Sequence, residues 1–160
     1  MRTGGKSTLA AITCALALWG GGSDVAHAGF SRAEADTSVR VAWDYWHSLR
    51  QPSILGLLDV ECRPGRVTLD WQLDLGPAMA SASLGGCLRP APTIKLERRT
   101  IRTLSDRHGC AIIAHEFGHL LGYGHVGDQR SLMSGALSGG QTPPAGATWR
   151  RAWNRCERRL

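Results

Sequence analysis

The chain has 160 residues, with 19 Lys and Arg against 13 Asp and Glu and a formal net charge of +6 at pH 7. That length supports one small domain with a core of its own and excludes a second. The basic residues are not interleaved with aromatic ones, so nothing points to a nucleic-acid partner, and the charge reads as a solubilising surface.

In chain order, residues 1–28 read as a signal peptide. Arg2 and Lys6 give a basic start, Leu9 to Trp19 is mostly apolar, and Ala26-His27-Ala28 has the small-x-small pattern of a cleavage site. The apolar run is too short for a permanent membrane anchor. The expectation is a protein secreted after cleavage near Ala28, with one domain over 29–160. Residues 33–50 carry Val39, Trp43, Trp46 and Leu49 at helical spacing, with Asp36 to Ser38 as possible caps. Residues 57–62 and 67–73 read as strands joined through Arg63-Pro64-Gly65-Arg66, with Val67, Leu69, Trp71 and Leu73 alternating in the second. Two further strands are predicted at 78–84 and 93–98, then a helix from about Cys110 to Leu121. Gly135 to Ala147, rich in Gly, Ser and Pro, reads as a loop. A last helix over 148–160 has Thr148 as its N-cap and Trp149, Trp153, Cys156 and Leu160 on one stripe, with its arginines on a solvated face.

Loss of the leader removes Cys14 and leaves Cys62, Cys87, Cys110 and Cys156. An even number in a small exported domain reads as two disulfides, for which three connectivities are possible. We favour Cys62–Cys87 with Cys110–Cys156, the second tying the start of the motif helix to the C-terminal helix.

The most informative stretch is His115-Glu116-Phe117-Gly118-His119-Leu120-Leu121-Gly122-Tyr123-Gly124-His125, followed by Met133. On a helix, His115 and His119 leave the same face one turn apart. That spacing lets two imidazoles reach one tetrahedral Zn²⁺ at about 2.0–2.1 Å. Glu116 falls beside the metal without being needed as a ligand, where its carboxylate can take a proton from an attacking water. Gly122 can adopt a positive φ, end the helix and turn the chain so that His125 becomes the third ligand. Three protein ligands with one position open describe a catalytic zinc and not a structural one.

These residues, with Ser131-Leu132-Met133-Ser134, resemble the metzincin zinc peptidases. Gly118 and the short step from His125 to Met133 are most similar to the matrixin branch, in a minimal bacterial form. The resemblance rests on residues 110–135. It implies an α+β zincin fold: a small twisted mixed sheet, an N-terminal helix, the active-site helix and a C-terminal helix. It also implies that His115, His119 and His125 bind one catalytic Zn²⁺, that Glu116 is the general base, and that Met133 forms an apolar floor under the imidazoles. Substrate would lie antiparallel along a sheet edge, for which Ala78 to Leu84 is the candidate. The loop after Met133 would wall the pocket beyond the cleaved bond.

The chain departs from the matrixin pattern before the motif. Between residues 74 and 109 the residues able to hold a structural zinc or calcium are Asp74, Asp106 and His108, so neither ion is expected. His47 and His108 read as structural or exposed. Ser134-Gly135 lacks the tyrosine that some metzincins place after the methionine. The expectation is a secreted, monomeric zinc endopeptidase acting on protein or peptide substrates. Two alternatives are a zinc amidase cutting cell-wall peptides and a non-catalytic metzincin-like binding module, against which the intact Glu116 argues.

Overall fold

The computed structural model describes residues 29–49, 58, 61–76, 78–136 and 139–160; the expected signal peptide lies outside them. They form a small α+β domain of four helices and a three-stranded mixed sheet. The elements are α1 (Arg32–His47), β1 (Thr68–Gln72), β2 (Ala80–Ala82), a 3₁₀ turn (Gly86–Leu88), β3 (Thr93–Glu97), α2 (Arg98–Ile101), α3 (Asp106–Leu120) and α4 (Trp149–Glu157). No helix of the described residues is long and apolar enough to cross a membrane.

Helix α1 begins where its first turn can be capped from both directions. Glu34 N–H donates to Ser31 Oγ at 3.2 Å, and Ser31 N–H donates to the Glu34 carboxylate at 2.5 Å. The cap is therefore Ser31, ahead of the predicted Asp36–Ser38, because only a residue before the first turn can meet its unpaired N–H groups. Val39 and Trp46 are buried as expected, with Ala35, Ala42 and Tyr45 beside them. Trp43 stays half-buried and donates from Nε1 to the Leu58 carbonyl at 3.0 Å. The helix ends at His47, so Leu49 falls beyond it.

The sheet has the order β1-β3-β2, with β1 parallel and β2 antiparallel to β3. Ile94 and Leu96 on the central strand are wholly buried while Lys95 between them is exposed, so one sheet face covers the core. Ala80 and Ala82 pair with Leu96 and Ile94, which leaves β2 as an edge strand inside the predicted 78–84 segment. The predicted 57–62 strand is not found among its described residues. Leu58 is helical and fully buried, and Glu61 and Cys62 lie in a turn. There the Leu58 carbonyl is taken by the Trp43 indole and Cys62 is bonded to Cys87, so these two residues are held from outside any sheet ladder.

Both favoured disulfides are present. Cys62–Cys87 ties the turn before β1 to the 3₁₀ turn, and Cys110–Cys156 joins α3 to α4. Two disulfides fit an oxidising compartment outside the cytosol. Thr148 caps α4 by accepting the Arg151 N–H at 3.3 Å. Ala152 and Cys156 are the buried residues of that helix, whereas Leu160 is 43% exposed, so it leaves the expected stripe. The helix has already ended at Glu157, three residues before Leu160.

Candidate metal centre

Helix α3 is the central beam of the molecule. It starts at Asp106, four residues before the predicted Cys110, since Ser105 already has the extended backbone of an N-cap. Trp46 Nε1 donates to the Ala114 carbonyl at 2.9 Å and so fixes α1 across the beam. The C-terminal half of α3 carries His115, Glu116 and His119. Its end is set by Gly122, whose φ of 94° an L side chain rarely adopts, while Tyr123 N–H closes back on the Gly118 carbonyl at 3.0 Å. The chain then reverses and delivers His125.

The three imidazoles converge. His115 Nε2 and His119 Nε2 lie 3.1 Å and 3.0 Å from His125 Nε2, and one ligand atom from each ring falls within 4.8 Å of the others. Nitrogens around one tetrahedral zinc sit about 3.3 Å apart, so the separations approach those of a shared ion. The far side of each ring is anchored. His115 Nδ1 donates to the Leu132 carbonyl at 2.6 Å, His119 Nδ1 donates to the Tyr123 carbonyl at 2.8 Å, and the His125 ring bonds the Ala136 carbonyl. Such bonds leave the Nε2 lone pairs facing inward. Burial pushes His115 down to about 3, the neighbouring His119 adds to this, and the Leu132 carbonyl opposes it. His119 and His125 are also lowered, chiefly by burial. All three rings are thus held neutral at neutral pH, the form that ligates a metal. This group could hold a metal ion, and an all-imidazole donor set suits zinc.

Glu116 is 6% exposed, and its Oε2 is buried without a hydrogen-bond partner. Burial raises its carboxyl to about 8, against a backbone hydrogen bond from Ala82 on the edge strand. The sheet edge and the motif glutamate are therefore in direct contact.

Met133 is wholly buried. A Cβ at Gly118 would meet Met133 Sδ at 2.5 Å and the Trp46 ring at 2.6 Å, so only glycine lets the methionine turn come this close to α3. The turn is built by Val126 N–H donating to the Met133 carbonyl at 2.9 Å and by Met133 N–H donating to Ser131 Oγ at 3.1 Å.

His47 and His108 are not part of the cluster. His47 stacks on Trp43, and His108 pairs with Ser105 Oγ at 2.6 Å and meets Trp153 edge-on. Asp74 accepts the Gly76 N–H at 2.6 Å, and Asp106 is the first residue of α3. Trp149 is a site residue that the motif did not reveal. Its ring lies parallel to His115 with centroids 5.7 Å apart, and its Nε1 donates to Ser134 Oγ at 2.9 Å. In the sequence Trp149 looked like one apolar residue of the last helix, and no local signal separates that role from packing on a ligand. The anchoring carbonyls of Leu132, Tyr123 and Ala136 are equally silent, since every residue has one. No protein-family model, curated protein or solved structure matches the chain.

Proposed function

We propose that the protein is a secreted zinc endopeptidase of the metzincin type that cuts protein or peptide substrates. The observation that carries this reading is the convergence of three anchored imidazoles beside a buried carboxylate that has an unpartnered oxygen. His115, His119 and His125 would hold one Zn²⁺, and Met133 would form the apolar floor below them. When bound, the zinc supplies Lewis-acid polarisation of the scissile carbonyl and a nucleophile at neutral pH.

The chain's own groups do the rest. Leu132, Tyr123 and Ala136 fix the ring orientations through their carbonyls. A cation held by the three imidazoles would draw the Glu116 carboxyl back to its charged form; it then takes the proton of the attacking water on Oε2 and gives it to the leaving amine, while Ala82 N–H holds the carboxylate in place. Edge strand β2 offers backbone groups for an extended peptide to add as a further strand. No tyrosine follows Met133, so no phenol from that position assists the oxyanion.

The test is hydrolysis of casein set beside hydrolysis of purified cell-wall peptides, each with and without a zinc chelator. Chelator-sensitive digestion of casein is expected. Cleavage confined to wall peptides would support the amidase reading, and binding without cleavage of either would support the non-catalytic one.

A further inference from the structure

One surface cavity, of about 260 Å³, lies on the strand that meets Glu116. Its lining includes Ser81 and Ala82 of β2, Ser83 and Gly86 just after them, Lys95 of β3, and Arg89. Ala82 is the residue whose backbone bonds the Glu116 carboxyl, so the cavity begins where the proposed chemistry takes place. Position, and not basic charge alone, sets it apart. The basic cavities on α1 and α2 and on α4 include no residue of β2.

The strand register places this cavity on the outer face of the sheet. Ser81 pairs with Lys95, whose side chain is exposed between the buried Ile94 and Leu96, so Ser81 also faces away from the core. A peptide adding antiparallel to β2 would carry two side chains on this same face, opposite Ser81 and Ser83 and two residues apart. With strands spaced about 4.8 Å, such a side chain starts about 9.6 Å from β3. Ser81 and Ser83 are too short to fill that interval, and the long, flexible stem of Lys95 enters it from the β3 side. Asp70 is the carboxylate opposite Lys95 on β1, but it accepts from Gln72 Nε2 at 2.5 Å, and no ion pair joins it to Lys95 among the described residues. The cavity lining itself holds two cations, Arg89 and Lys95, and no carboxylate.

We propose that this cavity is a specificity subsite that takes an aspartate or glutamate side chain of an extended peptide, at the positions opposite Ser81 and Ser83. The proposal rests on the reading of β2 as the strand to which substrate adds. Lys95 and Arg89 select the substrate and take no part in breaking its bond.

Two fluorescent peptides that differ only in carrying Glu or Gln at alternate positions test the subsite. Binding is read by fluorescence anisotropy on the Glu116→Gln variant, which under the catalytic reading cannot cut them. Salt is held at about 0.1 M, where charges more than about 10 Å apart are largely screened. The Glu peptide is expected to bind about threefold tighter or more, as exposed charge pairs allow. Adding Lys95→Gln and Arg89→Gln should bring the ratio below about 1.5-fold, whereas Lys95→Arg, which keeps the charge, should preserve it. The control pair Arg40→Gln and Arg150→Gln removes the same charge from exposed positions on α1 and α4 and should leave the ratio unchanged. In parallel, wild-type digestion of a peptide library, with cut sites read by mass spectrometry, should show Asp and Glu enriched at two positions two residues apart. Bulk attraction to a basic protein has no such period. Acidic preference in binding with no hydrolysis would keep the subsite and remove the peptidase reading. Equal binding of the two peptides, or a preference that survives Lys95→Gln with Arg89→Gln, would overturn the subsite, and hydrolysis in the same preparations would leave the peptidase standing.

Discussion

The two halves of α3 are held by different means. The N-terminal half is fixed by apolar and covalent contacts: Gly109 lies against the Phe30 ring, and Cys110 is bonded to Cys156 of α4. The C-terminal half shares the core through Phe117 and Leu120 and is fixed in addition by polar contacts to loops, through the carbonyls that receive the His115 and His119 rings, with Gly118 closed against Met133 and Trp46. One end of the helix serves the fold and the other presents side chains. Stability and metal binding should therefore separate on substitution, except at residues where the two meet.

The largest effect should come from the ligand end. His125→Ala is expected to weaken zinc by more than about a hundredfold while His47→Ala and His108→Ala leave it near wild type, because only His125 closes the triangle of Nε2 atoms. Zinc titration against a competing chelator reads this directly, and equal affinity in all three variants would break the comparison. At the other end, Cys110→Ser with Cys156→Ser opens a link between residues 46 apart in sequence. The expected loss is about 3–4 kcal/mol of stability by chemical denaturation, with one zinc per chain still held in the folded fraction.

Gly118→Ala tests the meeting point of the two halves. Trp46 cannot retreat easily, since its Nε1 is bonded to the Ala114 carbonyl and its ring stacks on Tyr123. Overpacking of this kind costs about 1–3 kcal/mol, and here it should lower Tm and zinc affinity together. A fall in one without the other would show that the methionine turn does not couple them. Trp149→Phe should give the smallest effect. It keeps an aromatic face beside His115 but loses the hydrogen bond to Ser134, worth about 1 kcal/mol, and so shifts Tm by a few degrees with little change in zinc affinity.

The same contrast explains what could be read from the sequence. The ligand end is a local signal: His115, Glu116 and His119 share one helix, and Gly122 marks its end, so the spacing alone gathers the cluster that the fold assembles. The helix stripes and the 93–98 strand were legible for the same reason, since periodic burial is written into consecutive residues. The 57–62 segment was not, because Leu58 and Cys62 are held by Trp43 and Cys87, contacts made far along the chain. Ser31 carries no such signal, because the apolar stripe in α1 begins later than its cap. Trp149 packs on His115 from a separate helix, and no local pattern announces that contact.

The central claim is that three imidazoles hold the metal while Glu116 performs the chemistry. It is tested most directly by measuring zinc content and casein hydrolysis side by side for the wild type and Glu116→Gln. The account predicts one zinc per chain in both proteins, with hydrolysis in the variant reduced by about a thousandfold, within the range expected for loss of a positioned general base. Hydrolysis by Glu116→Gln at the wild-type rate, or a wild-type protein whose hydrolysis survives complete removal of zinc, would contradict it.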